Sequence, residues 1–409
     1  MIAHAAGPGR GSEAGAAWGV VRALAKVADC TVLVGPENGQ AVRDWQEQTG
    51  DPSLSFIEVS EPPLAHLAKW HRIPRFLVYL GWLRNVRRVA ERLHAKRAFD
   101  AAAHASASVY WLPTPATQLG IPCVWGPVGG AVTTPRSLWP VLGWRGLPDE
   151  YLDAISVRLM AQLPWTRRTW RGATVPIVQN EETLARLPKS IQSRASVLNH
   201  VLFTEMPVVR PRPRKSHIIY CAGLLNRKGP TLAIRSLANT PDDVHLHIAG
   251  DGPEINHLQR LARRLDVSGR VEFFRSVPRA SLFELLAESA AAVFTGLREE
   301  GGMALAEAML IGTPVIVLAN GGARTIAETT TDPKRVMLIQ PGSVSETAQR
   351  IGMAMTHFSR NLTSSTGPTI DQSFAQSFLE DRLEAALSSQ SSTNRSGIGA
   401  RPSSIGETA

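Results

Sequence analysis

The stretch Gly296–Val315, GLREEGGMALAEAMLIGTPV, decides the fold prediction for this chain. The apolar run AAVFT at 291–295 precedes it and predicts a buried strand. Two glutamates and two glycines then predict a loop, and an apolar segment predicts a helix over Met303–Leu310. The run PVIVLA at 314–319 predicts the next strand. Strand, loop, helix and strand in this order are typical of a parallel sheet with crossover helices.

The same alternation of short apolar runs and helical segments extends through the second half of the chain. The predicted strands are His217–Tyr220, Val244–Ala249, Val271–Phe274, Ala291–Thr295 and Pro314–Ala319. The predicted helices between them are Pro230–Leu237, Glu254–Leu265, Ala280–Glu288 and Met303–Leu310. Together these elements predict one Rossmann-like, doubly wound α/β domain.

The first half follows the same rhythm with less regular spacing. Its predicted strands are Ile2–His4, Thr31–Val34, Ser55–Val59, Ala101–His104, Pro122–Trp125 and Val175–Gln179. The first of these is barely long enough for a strand, so we expect the natural start to lie a few residues upstream. The chain is therefore predicted to form two Rossmann-like domains that face each other across a cleft. Open parallel sheets bind ligands at the carboxyl ends of their strands, and those ends would meet in that cleft.

Composition predicts where the domains end. The segment PVVRPRPRK at 207–215 predicts a linker, because its prolines cannot continue a helix or a central strand. We expect a first domain over 1–205, a second domain over 206–365, and a helix over 366–387 that can pack back on the first domain. Residues 388–409 are rich in Ser, Thr and Gly and predict a disordered tail.

Charge is unevenly distributed along the 409 residues, which carry 44 Lys and Arg against 35 Asp and Glu, a net charge of +9. Residues 1–200 hold 22 basic and 15 acidic side chains, and nine basic residues with one acidic residue lie between Lys69 and Arg97. Arg84, Arg88 and Arg92 share one face of the helix predicted there. Such a basic helix either lies on an anionic membrane or is a solvated helix whose apolar side packs on the sheet. The sequence leaves both alternatives open.

Several classes of protein are excluded or disfavoured. A hydrophobic content of 44% and a charged content of 19% exclude a disordered or collagen-like chain. The apolar run Phe76–Leu83 is shorter than the roughly 18 residues that cross a bilayer, and the start lacks a signal-peptide pattern. Cys30, Cys123 and Cys221 form neither a disulfide framework nor a CxxC metal site, which favours a cytoplasmic location. No nucleic-acid-binding motif accompanies the basic excess, so we expect no nucleic-acid partner.

Several motifs resemble those of glycosyltransferase family 4, the retaining group 1 enzymes of the GT-B fold. Glu299 and Glu307 have the spacing of the family's E-x7-E signature. Four further pieces occur in the family's order: the SVLNH segment at 196–200, the AGLLNRKG donor loop at 222–229, the IAGDGP turn at 248–253 and the glycine pair Gly321–Gly322. The resemblance implies a GT-B fold and a nucleotide-sugar donor.

The resemblance also implies roles for individual residues of the second half. Lys228 matches the lysine that holds the donor diphosphate, and the backbone N–H groups of Gly302 and Met303 would face the same phosphates. Glu299 matches the glutamate associated with the transferred sugar, and Glu307 matches the one associated with the donor ribose. The family's arginine in the donor loop falls on Gly223, and the neighbouring Arg227 is the candidate to replace it. Ser276 and Val277 lie in the loop that matches the segment along the nucleobase.

Three loops of the first half complete the implied site. Gly11 belongs to the loop GPGRGSEAG at 7–15, which matches the family's phosphate-facing glycine loop. His104 matches a histidine that reaches the transferred sugar, so His104 and Glu299 are the two catalytic candidates. The loop WGPVGG at 125–130 is expected to help form the acceptor pocket. Taken singly, each residue also has an ordinary structural interpretation: the glutamates as solvated side chains, His104 as a structural hydrogen-bonding group and Ser12 as a helix cap.

The function implied is transfer of a sugar from a nucleotide-sugar to a glycan or lipid-linked acceptor, in the synthesis of cell-surface polysaccharides or glycoconjugates. No metal cofactor is expected, because the sequence has no Asp-x-Asp metal motif before a donor loop. Lys228, helix N-termini and Arg10 would balance the diphosphate charge. The alternatives are a GT-B-fold sugar-nucleotide epimerase and a non-catalytic protein that binds nucleotide-sugars or nucleic acid.

Overall fold

The computed structural model describes residues 1–9, 12–63, 72–106, 109–203, 207–210, 212–363 and 367–396. Within them, two parallel sheets covered by helices form two α/β domains, as the sequence predicts. Among these residues no helix is both long and apolar enough to cross a bilayer.

The first sheet has seven strands in the order β3-β2-β1-β4-β5-β6-β7. The strands are β1 Ile2–Ala3, β2 Cys30–Val34, β3 Leu54–Glu58, β4 Ala102–Ser106, β5 Cys123–Val128, β6 Val175–Val178 and β7 Ser196–Val197. The α-helices of this half are α1 Ser12–Ala25, α2 Pro36–Thr49, α3 Arg72–Lys96, α4 Gly143–Met160, α5 Pro164–Gly172, α6 Glu181–Arg186 and α7 Lys189–Gln192. The strand order reverses between β1 and β4, and a crevice opens at such a point in a doubly wound sheet.

The second sheet has six strands in the order β10-β9-β8-β11-β12-β13. The strands are β8 Lys215–Cys221, β9 Leu246–Ala249, β10 Val271–Arg275, β11 Ser289–Phe294, β12 Val315–Leu318 and β13 Val336–Ile339. The helices are α8 Pro230–Leu237, α9 Ile255–Arg264, α10 Arg279–Glu288, α11 Met303–Ile311, α12 Gly321–Ala327 and α13 Val344–Arg360. The order reverses between β8 and β11, so the loops that follow these two strands lie beside each other.

Each domain contributes one segment to the core of the other. The last helix, α14 Gln372–Ser396, returns to the first domain, where Ala375, Leu379 and Leu383 are buried with apolar residues of α1. In the opposite direction, the 3₁₀ helix Arg136–Leu142 buries Leu138, Val141 and Leu142 against the core of the second domain. The two domains are therefore joined by packing as well as by the linker.

The helix α14 continues past the point where the sequence predicts disorder. The tail was expected from residue 388, but the helix extends to Ser396. No proline or glycine interrupts the sequence between Ile370 and Gly397, and serine and glutamine cost a helix only a few tenths of a kcal/mol each, roughly. Residues 397–409 lie outside the described part of the chain.

The basic helix α3 packs its apolar side on the first sheet. Trp82, Leu83 and Val86 are buried, and the indole N–H of Trp82 donates to the carbonyl of Val59 at 2.9 Å. Arg84 and Arg88 are exposed on the opposite side. The apolar side of α3 therefore packs on the sheet and its basic side faces outward, and contact of that basic side with an anionic membrane stays a prediction.

Candidate active site in the interdomain cleft

A cavity of about 750 Å³ lies between the two domains, at the carboxyl ends of the strands of both sheets. Its volume falls in the range typical of small-molecule sites, roughly 300–1,000 Å³. From the first domain its lining includes Glu13, Ser106, Trp111, Gly129, Gly130, Asp153, Gln179 and His200. From the second domain it includes Gly223, Arg227, Lys228, Arg279, Glu299, Gly302, Met303 and Glu307. The cleft predicted from the two-domain pattern is thus a real concavity with charged groups on its second-domain wall.

Lys228 and Glu299 form an ion pair on that wall. Lys228 ends a short 3₁₀ turn after β8, and Glu299 lies in the loop between β11 and α11. Their side chains are 22% and 17% exposed, so the pair is shielded from bulk water but open to the cavity. Two backbone bonds fix the loops to each other, since the N–H groups of Leu297 and Arg298 donate to the carbonyl of Arg227 at 2.9 and 3.3 Å.

Gly229 makes this close approach of the two loops possible. Its φ is +66°, and a Cβ at this position would lie 2.0 Å from the carbonyl oxygen of Thr295. The Thr295 hydroxyl donates to the Gly229 carbonyl at 2.8 Å, which holds the end of β11 against the turn that carries Lys228. The position of Lys228 in the cavity is therefore determined by the backbone contacts of the turn that carries it.

The amino-terminal end of α11 also faces the cavity. Gly302 has a φ of +90° immediately before the helix, and both Gly302 and Met303 line the cavity. Backbone N–H groups at a helix start attract anions, because they lack intrahelical acceptors and lie at the positive end of the helix dipole. Together with Lys228 they form a wall suited to phosphate.

Glu307 lies one turn inside α11 and is almost fully buried, with 3% of its surface exposed. Its carboxylate pairs with Arg279 of α10, and both residues line the cavity. Burial raises the pKa of Glu307 to about 7, because the loss of hydration outweighs the attraction of the Arg279 guanidinium. The carboxyl group therefore changes its charge close to neutral pH.

Glu300, the glutamate next to Glu299, connects the two domains. Its carboxylate accepts hydrogen bonds from the Val132 N–H at 2.8 Å and from the Asn180 side-chain amide at 2.9 Å, both in the first domain. The Asn199 amide donates to the Glu300 carbonyl at 3.0 Å. Burial raises the pKa of Glu300, and these donors oppose that effect. The local sequence does not show that Glu299 faces the cavity while Glu300 connects the domains, because the donors of Glu300 are remote in sequence.

Replacing Glu300 with alanine is expected to lower the free energy of unfolding by about 1–3 kcal/mol, because two buried donors lose their acceptor. Urea denaturation measures the change. Glu328→Ala is the matched control: its exposed pair with Arg324 is expected to contribute about 0.5 kcal/mol or less. Equal losses in the two variants would show that Glu300 does not hold the domains together.

Arg298 connects the same loop to α4, a helix that the sequence analysis did not identify. Its guanidinium pairs with Asp153 and lies 3.6 Å from the carboxylate of Glu150. Glu150 also accepts from the Thr134 N–H at 2.8 Å. The helix α4 therefore forms one side of the cleft and is fixed to the residue next to Glu299.

His104, which was predicted at a strand end as a catalytic candidate, does not line the cavity. The strand β4 extends to Ser106 instead of ending at His104, so His104 lies within the sheet with 1% of its surface exposed. Its Nε2 is 3.5 Å from the hydroxyl of Tyr79, and burial lowers its pKa to about 4. The following residues, Ala105 and Ser106, line the cavity in its place.

The remaining predicted positions divide into three groups. Arg227, Lys228, Gly302, Met303 and Glu307 lie together with Glu299 in the cavity lining. Ser276 and Val277 do not line this cavity, although Arg279 at the start of α10 does. Gly11 and Arg10 lie outside the described residues. In the first domain, Gly129 and Gly130 of the predicted acceptor loop line the cavity, whereas Trp125 is buried in the core.

The sequence analysis missed His200 and Trp111 as cavity residues. His200 is buried, and burial lowers its pKa to about 4, so its imidazole is neutral at physiological pH. It faces Gly301, where a Cβ would lie 3.4 Å from the imidazole Cε1. The one feature of the sequence that indicated a role for His200 is its position at the end of the SVLNH segment. Trp111 comes after the end of β4 in the chain, and no local pattern marks it.

Comparisons with known proteins agree with this arrangement. Residues 204–357 match the family described as "Glycosyl transferases group 1", which confirms the resemblance for the second domain. The chain is 30% identical over 119 residues to a D-inositol 3-phosphate glycosyltransferase of Xylanimonas cellulosilytica, covering 28% of each chain. It is 30% identical over 167 residues to a GDP-mannose-dependent alpha-(1-6)-phosphatidylinositol monomannoside mannosyltransferase of Mycolicibacterium smegmatis, covering 37% of this chain and 43% of the relative. The matches thus span less than half of either curated relative.

Solved structures show the fold over nearly the whole chain. The Anabaena protein HepE, solved in complex with UDP-glucose, aligns with a TM-score of 0.52 at 18% identity and covers 97% of this chain and 99% of its own. The lipopolysaccharide outer core galactosyltransferase WaaB aligns with a TM-score of 0.57 at 14% identity, covering 95% and 98%. At these identities the likeness concerns the fold, and it confirms the predicted two-domain α/β arrangement.

Proposed function

We propose that this chain is a group 1 glycosyltransferase that transfers a sugar from a nucleotide-sugar to a glycan or lipid-linked acceptor. The observation that carries the proposal is the grouping of Lys228, Glu299, Glu307 and the start of α11 on one wall of the interdomain cavity. This wall lies within the segment that matches the group 1 glycosyltransferases. The proposed pathway is the synthesis of a cell-surface polysaccharide or glycoconjugate.

Each part of a nucleotide-sugar has a suitable partner on this wall. The diphosphate suits Lys228, which supplies positive charge, and the backbone N–H groups of Gly302 and Met303, which lie at the positive end of the α11 dipole. Ionised carboxylates are acceptors only, so Glu307 suits the two ribose hydroxyls and Glu299 suits hydroxyls of the transferred sugar. The fold neighbour HepE, which is solved with UDP-glucose, supports a donor of this class.

In the proposed reaction, the bond between the anomeric carbon and the diphosphate oxygen breaks while the acceptor oxygen bonds to the same carbon. The electron pair of the broken bond leaves with the nucleoside diphosphate, and the acceptor hydroxyl passes its proton to an oxygen of that departing diphosphate. Lys228 and the start of α11 stabilise the charge that develops on the leaving group. Attack from the same face gives retention, which we propose on the family resemblance. Because these groups carry the charge compensation, we propose transfer without a metal ion.

We further propose a cytoplasmic location, with the acceptor presented at the inner face of the plasma membrane. Cys30, Cys123 and Cys221 are free thiols, and such cysteines are typical of a reducing compartment. A lipid-linked acceptor would supply the membrane contact that this location requires.

The test is release of nucleoside diphosphate from a panel of nucleotide-sugars, with and without a crude lipid acceptor and with and without a chelator. We expect one donor to give release that the chelator does not abolish and that the lipid acceptor stimulates. No release with any donor would overturn the proposal. Conversion of a donor into its epimer, without nucleoside diphosphate, would assign the chain to the epimerases instead.

Donor binding is expected to strengthen with rising pH through Glu307. A carboxyl group with a pKa of about 7 is mostly protonated at lower pH, and only the ionised form accepts from two ribose hydroxyls at once. The dissociation constant of the cognate nucleotide-sugar should fall by up to about tenfold between roughly pH 6 and pH 8. Calorimetric titration of Glu307→Gln should give a flat profile, whereas Glu328→Gln should keep the wild-type slope. A sloping profile in Glu307→Gln would assign the titration to another group.

A further inference from the structure

We propose that the outer side of α4 and α5 is a docking surface for an anionic phospholipid bilayer. We call it the α4–α5 face, and it consists of Trp144, Tyr151, Leu152, Ile155, Arg158, Leu159, Trp165, Arg167, Arg168 and Arg171. The inference deepens the proposed function and rests on it for its meaning, because it names the surface at which a lipid-linked acceptor would approach the cleft.

The α4–α5 face exposes large apolar side chains. Trp144 is 77% exposed, Leu152 is 62% exposed, and Tyr151 and Leu159 are each 58% exposed. At 100° per residue, Trp144, Tyr151, Leu152, Ile155 and Leu159 fall within a sector of about 100° on one side of α4. Single exposed apolar residues are ordinary, but a contiguous group marks an interaction surface. Six of the twelve exposed large apolar side chains in the described part of the chain lie on this face.

The opposite side of α4 lines the cleft. Asp153, Ser156 and Val157 line the cavity, and Asp153 pairs with Arg298 beside Glu299. A single helix, about 10 Å in diameter, therefore separates the exposed apolar stripe from the proposed site of transfer. A surface bound at this face would lie next to the acceptor side of the cavity.

The charge on the α4–α5 face suits lipid phosphates. Arg167, Arg168 and Arg171 of α5 surround a concavity of about 380 Å³ together with Gln162 and Pro164. All three arginines are exposed, as is Arg158 near the end of α4. A guanidinium group can donate two parallel hydrogen bonds to two oxygens of one phosphate. Tryptophan and tyrosine side chains favour the boundary between lipid and water. A surface that exposes apolar side chains, aromatic rings and arginines suits an anionic bilayer, which offers phosphate groups above an apolar interior.

The basic helix α3 does not offer this combination. Its exposed arginines Arg84, Arg88 and Arg92 face solvent, but Trp82 and Val86 on its apolar side are buried in the first domain. Among the described side chains of α3, Leu77 is the one large apolar group that is exposed, at 59%. The helix α3 therefore presents charge with a single exposed apolar side chain, whereas the α4–α5 face combines charge with six, and α3 supplies the matched control.

The test is co-sedimentation of the full chain with phosphatidylcholine vesicles and with vesicles of equal parts phosphatidylcholine and phosphatidylglycerol, without donor. We expect binding to the anionic vesicles. The combined change Tyr151→Ser, Leu152→Ser and Leu159→Ser should weaken that binding at least roughly tenfold, because the apolar stripe no longer inserts. The combined change Arg167→Gln, Arg168→Gln and Arg171→Gln should abolish the preference for anionic vesicles.

The control is the combined change Arg84→Gln, Arg88→Gln and Arg92→Gln on α3, which removes the same charge and should alter binding less than about threefold. Unchanged binding of the serine variant, or an equal loss in the α3 control, would overturn the proposal. The proposal would also be overturned if the parent chain bound no vesicles and formed a dimer, while the serine variant was monomeric. The face would then bind a second copy of the chain.

Failure of this inference is distinguishable from failure of the proposed function. Nucleoside diphosphate release in the absence of vesicles should be unchanged in the serine variant, and its thermal unfolding midpoint should match that of the parent. Vesicle binding without any release of nucleoside diphosphate would support the docking face and overturn only the proposed function.

Discussion

Replacing Lys228 with alanine is expected to lower kcat/KM for the cognate nucleotide-sugar by about 10²–10³-fold. The lysine is the cation that the turn after β8 holds in the cavity beside the start of α11. Its removal leaves Arg227 and the helix N-terminus to balance the charge of the leaving diphosphate. Initial rates of nucleoside diphosphate release over a range of donor concentrations measure the change.

The matched control for Lys228 is Lys334→Ala, which removes an exposed lysine from the 3₁₀ helix Pro333–Arg335 on the far side of the second sheet. We expect its kcat/KM to change less than about twofold. A loss below about tenfold in Lys228→Ala would remove this lysine from the proposed transition-state contacts. Thermal unfolding of both variants shows whether a loss of rate comes from a loss of fold.

Glu299→Gln is expected to lower kcat by about 10²–10³-fold while changing the KM for the donor much less. The carboxylate pairs with Lys228 and lies where hydroxyls of the transferred sugar would reach it. Glutamine keeps the size of the side chain but removes the charge that orients the lysine. Because the two residues act as a pair, Lys228→Ala combined with Glu299→Gln should lose less than the product of the single losses.

Glu328→Gln is the control for Glu299, since Glu328 is an exposed partner of Arg324 on α12. It should keep the wild-type kcat. Fully multiplicative losses in the double variant of Lys228 and Glu299 would mean that the two side chains act independently, contrary to the ion pair in the cleft.

The edge strand β13 was not predicted from the sequence, whereas the other five strands of the second sheet were. Four of those five, β8, β9, β11 and β12, are central in the parallel sheet. Such strands are buried on both sides and appear as continuous apolar runs, as in Val315–Leu318. The helix Pro230–Leu237 was predicted with its observed bounds, since proline marks its first residue. Two of the predicted site residues, Lys228 and Glu299, lie in loops after strand ends that local pattern identifies, and Glu307 lies in the helix that follows Glu299.

The remaining features depend on contacts between distant parts of the chain. Glu300 and Val132 are separated by 168 positions, and no local pattern records their hydrogen bond. His104 was misplaced because β4 runs two residues further than its apolar run indicates, and side chains on a strand alternate between its two faces. The helix α4 was missed because its exposed apolar stripe and buried acidic residues do not follow the pattern of a helix packed on a sheet.

The segment Arg136–Leu142 limits how proteins of this architecture can be recombined into hybrids. Its apolar side chains belong to the first half of the sequence but pack in the core of the second domain. In the same way, α14 follows the second domain in the sequence but packs against α1 of the first. In a chimera joined only at the interdomain linker, Arg136–Leu142 and α14 would each pack against a domain taken from the other parent. Transplanting a donor specificity would therefore require moving residues 136–142 with the second domain, and keeping α14 with the first. The structural domains of this chain therefore do not coincide with the two parts of the sequence on either side of the linker.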